Sequence, residues 1–289
     1  MGDNIYGDTE RMDVLRQKYQ QLLTEPGYQD LQASGCRILA TWDDHDYGKN
    51  DAGVEYTMKK ESQSIFLETF AVAPTRSPWS RPGIYDSYTL GSEGKSLQVI
   101  LLDTRYFRSE LLRKKTFEKG SYRGRYAENT RDGATVLGAE QWAWLERELQ
   151  KPADLRVIVS SIQVLAIDHF WERWQNYPNE RTRFLNLLKK TDAKNTILLS
   201  GDRHLAEIMK MPASDPQSPG FPVFEITSSG LNQTFDRGGD EPNRYRLGNN
   251  FTGANFGFLS IDWKARLAEA EIRDVNGKVV RTVPIRFPQ

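Results

Sequence analysis

The sequence predicts an α/β fold with a mixed sheet, and two observations support this prediction. In the middle of the chain, apolar runs at 155–161 and 196–200 alternate with helical patterns, as in strand–helix–strand units. Near the end of the chain, further strand-like runs flank Asn276-Gly277, a strong two-residue hairpin turn. This order favours two sheets that pack face to face under helices.

Helical spacing of apolar side chains marks four segments. The first, 9–23, places Met12, Leu15 and Tyr19 on one face, and it ends before Pro26, a helix breaker. The other predicted helices are 56–70, 138–150 and 179–190. We expect these helices to cover the sheets.

Apolar runs bounded by turn residues predict the strands. The first candidate is 37–42, and we expect Cys36 to be a small buried residue at its start. An antiparallel pair is expected over 85–90 and 97–103. The two central runs are nearly all apolar, which indicates burial on both faces. The remaining strands are predicted at 221–228, 256–263, 268–273 and 279–285.

Length and composition exclude several classes of protein. The 289 residues are expected to form a single domain, 1–289, in which 264–289 is a C-terminal β-hairpin. With 39 basic and 39 acidic residues, no overall charge favours a nucleic-acid or anionic-lipid surface. A single cysteine excludes an internal disulfide framework. We expect no transmembrane segment and no signal peptide, and the compartment stays open.

Two of the three histidines lie in carboxylate-rich clusters. Asp44 and His45 follow the first predicted strand, and Asp202 and His204 follow a later one. Crowded carboxylates raise one another's pKa unless a cation lies among them. Because ligands of open α/β sheets bind beyond the carboxyl ends of the strands, we expect these side chains to converge. With a third acidic cluster at 2–8, the pattern predicts a polynuclear metal site.

Five motifs resemble those of the alkaline phosphatase D (PhoD-like) proteins, a family of calcineurin-like metallophosphoesterases. In chain order they are Gly2-Asp3-Asn4, Trp42-Asp43-Asp44-His45-Asp46, Leu102-Asp103-Thr104-Arg105, Ser161-Ile162-Gln163-Val164 and Gly201-Asp202-Arg203-His204. The resemblance covers most of the chain and implies a four-layer α/β/β/α sandwich of two mixed sheets. PhoD-like proteins carry an earlier strand that ends in a Ser-Cys motif. The resemblance therefore also implies that this chain lacks the family's N-terminal part and first strand.

The resemblance implies the metal ligands residue by residue. Asp3 resembles the carboxylate that bridges two metals, and Asp44 stands at the position of a ligand to the second metal. Asp202 and His204 resemble ligands from the last motif. Tyr19 resembles the tyrosinate that binds ferric iron, although its helical spacing fits a core tyrosine equally well. The implied centre holds Fe(III) with one or more Ca(II), and other divalent metals are compatible with it.

Further residues are expected to act on the substrate. His45 resembles the histidine that contacts the phosphate and protonates the leaving oxygen. Arg105 is expected either to contact phosphoryl oxygens or to pair with Asp103 or Glu110. His169 lies in an aromatic-rich segment that fits either a substrate pocket or a packed loop with a surface histidine. Asp43 and Asp46 are expected to be supporting or solvent-facing residues.

These residues predict metal-dependent hydrolysis of phosphate monoesters or diesters by a metal-activated hydroxide, with His45 as the general acid. The substrate is expected to be a small or polymeric phosphate ester, and the oligomeric state stays open. Members of the family are commonly exported to the periplasm or secreted. The alternative is a degenerate, non-catalytic metal-binding remnant of the same fold. A serine hydrolase that uses Ser228 or Ser229 is a weaker prediction, because the Gly-x-Ser-x-Gly motif is absent.

Overall fold

The computed structural model describes residues 1–115, 125–235 and 241–288. In these ranges the α-helices are α1 (Met12–Thr24), α2 (Pro26–Ala33), α3 (Asp44–Tyr47), α4 (Lys59–Thr69), α5 (Gly138–Leu149) and α6 (Pro178–Lys190). None of the described helices is long and apolar enough to cross a membrane.

The strands fall into three sheets. They are β1 (Asp86–Leu90), β2 (Leu97–Leu101), β3 (Leu112–Arg113), β4 (Tyr126–Ala127), β5 (Leu155–Ser160), β6 (Thr196–Ser200), β7 (Ala206–Met211), β8 (Val223–Ser228), β9 (Asn255–Asp262), β10 (Leu267–Asp274) and β11 (Val279–Arg286). The central sheet has the order β1-β2-β5-β6-β8-β7, the second sheet has the order β11-β10-β9, and β3 pairs with β4.

The central sheet is mixed, as the sequence predicts. Strands β2, β5, β6 and β8 run parallel, and β1 and β7 flank them as antiparallel edge strands. The carboxyl ends of the parallel strands therefore meet at one edge of the sheet. The motif residues Asp103, Ser161 and Asp202 all follow directly at that edge. The α/β class is confirmed.

Helices α5 and α6 cover one face of the central sheet. Trp142 of α5 and Phe184 of α6 pack in one cluster with Ile100, Ile158 and Leu198, which point from three neighbouring strands. Both helices bury one side, because their apolar residues recur at helical spacing. Burying one such side chain contributes roughly 1.5–3 kcal/mol, so this layer is a main source of stability.

The other face of the central sheet packs against the second sheet. Ile197 and Ile226 pack in one cluster with Ala268, Ala270 and Ile272 of β10. Strands β10 and β11 form an antiparallel hairpin, as the Asn276-Gly277 turn predicts. The two sheets therefore lie face to face, which agrees with the predicted architecture.

Helices α1 and α4 belong to a separate apolar cluster around the segment that leads into α3. Leu15 and Phe66 pack there with Trp42 and Tyr47, and all four side chains are buried. The indole nitrogen of Trp42 also donates a hydrogen bond to Asp103, 2.9 Å away. This packing holds the short acidic helix α3 against the carboxyl end of β2.

Four local predictions were wrong or incomplete. Residues 37–42 form no strand in the described sheets; there, Thr41 accepts a backbone hydrogen bond from Gly2 (3.1 Å). Cys36, next to this segment, is exposed rather than buried. Pro26 does end the first helix, but it also begins α2, because the fixed φ of proline suits a first helical position. Strand β7 was not predicted, although its partner strand β8 was.

Candidate metal centre

The first residues of the chain lie directly beside helix α3. Gly2 has a φ of 92°, and a Cβ at this position would lie 2.3 Å from the Cβ of Asp43. Only glycine allows this close approach, since it combines a left-handed conformation with the absence of a side chain. The approach places Asp3 next to Asp43 and Asp44.

Asp43 and Asp46 are buried, both 0% exposed, which fits the supporting role that was one of the two expectations and not the solvent-facing one. They form a capping box at the start of α3, in which the Asp43 backbone N–H donates to the Asp46 side chain (2.6 Å). Asp46 also accepts a hydrogen bond from the backbone of Asn4 (3.2 Å). Burial raises the pKa of Asp46 to about 7. Asp46 therefore joins α3 to the N-terminal segment.

Three carboxylates form the core of the site. One ligand atom each from Asp3, Asp43 and Asp44 can be chosen so that all three lie within 4.8 Å of one another. In each residue one buried carboxylate oxygen accepts no hydrogen bond from the described residues: Oδ1 of Asp3, Oδ2 of Asp43 and Oδ1 of Asp44. Buried carboxylate oxygens normally have partners, so three orphans in one place fit a cation.

The electrostatics of this cluster support the same interpretation. Burial raises the pKa of Asp3 well above its usual value, and the charges of Asp44 and Asp43 raise it further. Burial raises the pKa of Asp43 to about 7, against the lowering effect of Arg105. Burial alone would also raise the pKa of Asp44, but Arg105 and His45 outweigh it and hold this pKa below its usual value. The cluster thus holds more negative charge than Arg105 compensates.

Two histidines complete the cluster. Ligand atoms of Asp3, His45 and His204 also lie within 4.8 Å of one another, and His204 Nε2 is 3.5 Å from Asp3 Oδ2. The hydroxyl of Tyr6 lies 3.1 Å from His204 Nε2. Burial, followed by the charges of Arg203 and His45, lowers the pKa of His204. His204 is therefore neutral near pH 7, the form that binds metals.

The turn after β6 is strained, as turns at functional sites often are. Asp202 and His204 have φ values of 66° and 54°, in the left-handed region that side chains rarely adopt. Asp202 lines the same cavity as Asp44. Burial and the charges of Asp43 and Glu172 raise the pKa of Asp202. The structure thus brings Asp202 to the site. Among the described residues, however, Asp202 belongs to none of the three groups whose ligand atoms lie within 4.8 Å of one another.

Asp8 pairs with His45, a contact that the sequence analysis missed. The Nδ1 atom of His45 lies 2.8 Å from Asp8 Oδ2, and the ring of Tyr6 lies 4.4 Å from the His45 ring. Burial alone would lower the pKa of His45, but the hydrogen bond to Asp8 and the charge of Asp44 outweigh it, so the pKa is raised. The position of Asp8 in the acidic 2–8 cluster was the only available signal in the sequence.

A second group of carboxylates adjoins the first. Ligand atoms of Asp44, Asp51 and Glu172 lie within 4.8 Å of one another. The backbone N–H of Asp51 donates to Asp44 Oδ2 (2.6 Å), which fixes the loop after α3. Glu172 is already paired with two cations: it lies 2.6 Å from Arg105 and 2.9 Å from Arg108. A metal in this second group would therefore compete with the arginines.

Arg105 is absent from the cavity lining, and its contacts fit the alternative of pairing with carboxylates, which here are Asp43 and Glu172. It is 0% exposed. Its Nε donates to Asp43 Oδ1 (2.5 Å) and its NH1 to Glu172 Oε2 (2.6 Å). Both carboxylates hold it on the inner side of the cluster. Arg105 acts as a fixed counter-ion, because it forms ion pairs with both Asp43 and Glu172.

Tyr19 and His169 also lie outside the site. Tyr19 is buried in the apolar cluster with Phe66, and its hydroxyl donates to the backbone oxygen of Asp46 (3.3 Å). Burial raises its pKa, which opposes a tyrosinate. His169 is buried, and its Nε2 lies 2.9 Å from Gln163 Oε1. Tyr19 therefore fits the alternative of a core tyrosine. His169 fits the alternative of a packed loop, but its side chain is buried and does not lie on the surface.

A cavity of about 190 Å³ opens above the cluster. It is lined by Asp44, His45, Asn50, Asp51, Arg125, Trp171, Glu172, Asp202, Arg203, His204 and Phe235. Arg203 lies inside the Gly201–His204 motif, so the motif itself was a signal for it. Trp171 and Phe235 come from distant segments, and only the tertiary structure brings them here.

The two serines of the weaker prediction have other roles. The Ser228 hydroxyl donates to Asn255 (2.9 Å), and the Ser229 hydroxyl accepts the backbone N–H of His204 (3.1 Å). Among the described contacts, neither hydroxyl is bonded to a histidine side chain, which a serine nucleophile requires.

Comparisons with known proteins point to one family. A family model described as PhoD-like phosphatase matches residues 3–257. Alkaline phosphatase D of Bacillus subtilis (strain 168) is 27% identical over 187 residues, which cover 57% of this chain and 30% of that protein. A solved structure, "Structure of PhoD", superposes with a TM-score of 0.71 at 17% identity, covering 99% of this chain and 62% of the other.

These matches differ in what they establish. The structural match, at 17% identity, shows a shared fold. The chain spans less than two thirds of the length of both relatives, 30% of one and 62% of the other. The family model, in contrast, matches most of the chain and includes every candidate ligand from Asp3 to His204. This protein belongs to the PhoD-like phosphatase family.

Proposed function

We propose that this chain hydrolyses phosphate esters and that metal ions bound by its carboxylate cluster are required. The main support is the set of three buried carboxylate oxygens, on Asp3, Asp43 and Asp44, that lack a hydrogen-bond donor among the described residues. Buried charge of this kind is stable only when a cation compensates it. Membership of the PhoD-like phosphatase family supports the same class of reaction.

The donor set fits the metals that we expect. Asp3, Asp44 and His204 would hold the ions, and Asp202 lies beside them on the cavity wall. Carboxylate oxygens suit hard ions such as Ca(II), and a mixed set of carboxylate and imidazole suits iron. We therefore propose Fe(III) together with Ca(II). When bound, the ions would activate a water molecule and neutralise charge on the phosphoryl group.

His45 would supply the proton to the leaving oxygen. Its Nδ1 is held by Asp8 at 2.8 Å, which leaves Nε2 as the ring nitrogen free to face the cavity. The contact with Asp8 fixes the orientation of the ring, and the raised pKa favours the protonated form that a general acid needs. His45 thus keeps the role of general acid that the sequence analysis gave it.

The size of the cavity supports a small phosphate ester as substrate. A cavity of about 190 Å³ accommodates a phosphoryl group and part of an alcohol. Monoesters and diesters differ by one esterified oxygen, and turnover of an aryl phosphate monoester and a bis-aryl diester would distinguish them.

The proposal is tested with Asp3→Asn and His45→Ala in protein loaded with Fe and Ca. We expect Asp3→Asn to lower the metal content by at least one ion per chain and to abolish turnover. His45→Ala should retain the metal but lower kcat by roughly 10²–10⁴-fold, the usual contribution of a general acid. The matched control is Asp13→Asn, since Asp13 is an exposed aspartate on α1.

Two outcomes would contradict the proposal. Wild-type protein that binds two or more ions without any turnover would support the non-catalytic remnant instead. Turnover that survives both substitutions and a chelator would remove the metal cluster from the reaction altogether.

A further inference from the structure

One wall of the cavity contains an arginine that the proposed mechanism does not use. Arg203 lies between Asp202 and His204 in the chain and lines the cavity with them. It is only 5% exposed, so its guanidinium is largely withdrawn from bulk water. Arginine is rarely buried unless it is paired, so a buried arginine beside a cavity of this size indicates a binding partner.

One side of the guanidinium is anchored. The NH2 atom of Arg203 donates to both carboxylate oxygens of Glu241, at 2.7 and 2.6 Å. The Trp171 indole donates to the same carboxylate (2.7 Å), and the Arg203 guanidinium carbon lies 5.5 Å from the centre of the Trp171 ring. The ring of Phe235 meets that of Trp171 edge-on at 5.9 Å. These contacts hold the guanidinium in one orientation.

Another donor of the same group is left without a partner. Arg203 Nε is buried and donates no hydrogen bond to any residue in the ranges 1–115, 125–235 and 241–288. An unpaired donor on a buried cation is unfavourable unless a ligand accepts its hydrogen bond. The planar fork of arginine matches the oxygens of a phosphoryl group.

The other arginines near the site fit this role less well. Arg105 is bound by Asp43 and Glu172 on the inner side of the cluster. Arg125 also lines the cavity, but it is exposed and therefore more strongly hydrated. Arg203 alone among these three combines burial, anchoring by a carboxylate and an unpaired donor in the cavity wall.

We propose that Arg203 contacts a non-bridging oxygen of the phosphoryl group, in the ester substrate and in the phosphate product. This inference rests on the proposed function, because it assigns a residue to the substrate of that reaction. It gives Arg203 the phosphate-binding role that the sequence suggested for Arg105. The substrate class that follows is an ester with an anionic phosphoryl group.

The experiment measures binding of inorganic phosphate to the protein loaded with Fe and Ca, by titration calorimetry, together with turnover of an aryl phosphate monoester. Arg203→Gln should weaken phosphate binding and lower kcat/KM by about 10- to 100-fold, the range for a lost hydrogen bond to a charged group. Arg203→Lys keeps the charge without the fork and should lie between Arg203→Gln and wild type.

Two further variants separate binding from folding. Arg203→Gln leaves Glu241 as an unpaired buried charge, so the double variant Arg203→Gln/Glu241→Gln removes both charges and should show the same loss of phosphate binding. Arg156→Gln is the matched control, because Arg156 is a buried arginine at the opposite end of β5. It should bind phosphate as wild type does.

The outcomes distinguish this inference from the proposed function. Phosphate binding that depends on Arg203 without any turnover would contradict the proposed function and leave the inference standing. Turnover and phosphate binding that are unchanged in Arg203→Gln and in the double variant would overturn the inference alone. A loss of binding in Arg125→Gln but not in Arg203→Gln, or no phosphate binding by wild type, would also overturn it.

Discussion

This protein contains two buried acidic networks. They differ in whether their buried carboxylate oxygens accept hydrogen bonds. In the metal centre, Asp3, Asp43 and Asp44 each retain a buried oxygen without a hydrogen bond from the described residues. In the second network, between β7 and β8, Glu225 accepts the backbone N–H groups of Val164 (2.9 Å) and Leu165 (2.6 Å). Glu225 and Asp43 are both 0% exposed, so burial alone does not identify a binding site.

The second network is satisfied throughout its inner part. Glu207 accepts hydrogen bonds from Gln163 (2.7 Å) and Asn243 (3.0 Å) and pairs with Arg246. His169, for which a substrate pocket was one of two alternatives, belongs to this network through Gln163. A network whose groups are all paired rigidifies the fold, whereas a network with orphaned oxygens requires a ligand.

The largest effect is expected from Arg105, which satisfies the inner half of the metal centre. Arg105→Met leaves Asp43 as a buried charge without its partner and leaves Glu172 with Arg108 alone. We expect the free energy of unfolding to fall by about 3–5 kcal/mol. Urea unfolding measures it, with Arg156→Met as the control. If Arg156→Met lowers the free energy of unfolding by the same amount, the loss reflects the removal of any buried arginine. The carboxylates of the centre would then need no counter-ion.

The next prediction concerns the outer half of the centre, with its orphaned oxygens. Because metal binds only the folded state, Ca and Fe at about 100 times their dissociation constants should stabilise the wild type by about 3 kcal/mol. Asp44→Asn should lose most of this gain, and Glu225→Gln should keep it. Differential scanning calorimetry tests this; an identical metal response in Asp44→Asn would place the ions elsewhere.

The satisfied network should respond to pH rather than to metal. Burial raises the pKa of Glu225 to about 7, from an ordinary value of 4.5. A raised carboxyl pKa means that the folded state binds the proton more tightly than the unfolded state does. The contribution of this proton to folding stability is therefore complete below pH 4.5 and is lost as the pH rises through 7. Between pH 5 and 7 the wild type should lose about 2 kcal/mol relative to Glu225→Gln.

Urea unfolding of both proteins at pH 5, 6, 7 and 8 measures that difference, and the titrations of the metal centre cancel in the comparison. Glu225→Gln itself gives up one of the two backbone hydrogen bonds, because an amide has a single acceptor oxygen. That loss is independent of pH. A constant difference across the series would show that Glu225 does not titrate in this window.

The smallest effect is expected from Asp8, which lies partly exposed at the rim of the metal centre. Asp8→Asn should lower kcat by about 10-fold through weaker orientation of His45, which corresponds to one charged hydrogen bond. KM and metal content should stay unchanged, since Asp8 belongs to none of the described groups of ligand atoms. A proportional loss of metal would instead make Asp8 a part of the metal site.

Much of the fold could be predicted from the sequence, because most helices and strands follow from the local spacing of apolar residues. The apolar runs of β5 and β6 and the spacing of α5 and α6 identified a mixed sheet under helices. The exceptions have local reasons. Residues 37–42 look like a strand, yet form no ladder in the described sheets, and β7 lies at an edge where pairing with β8 decides the structure.

The sequence by itself determined the family and the residues that follow strand ends. Asp202 and His204 were predicted because they follow β6, and strand ends of a parallel sheet meet at one edge. Asp44 and His45 were predicted by the same rule, although 37–42 forms no strand and the two residues reach the site on α3. Asp3 was identified by its motif alone. Adjacency along the chain was sufficient for these residues.

Only the tertiary structure decided which charged groups are satisfied. The sequence could not show that Arg105 faces inward to Asp43 and Glu172. Nor could it show that Arg203 lines the cavity with a buried Nε that donates to none of the described residues. Burial and pairing depend on segments that are far apart in sequence, and a charge changes its role when its partner is supplied by another part of the chain. For the same reason Tyr19, which fits a ligand and a core residue equally well in sequence, is a core residue in the folded protein.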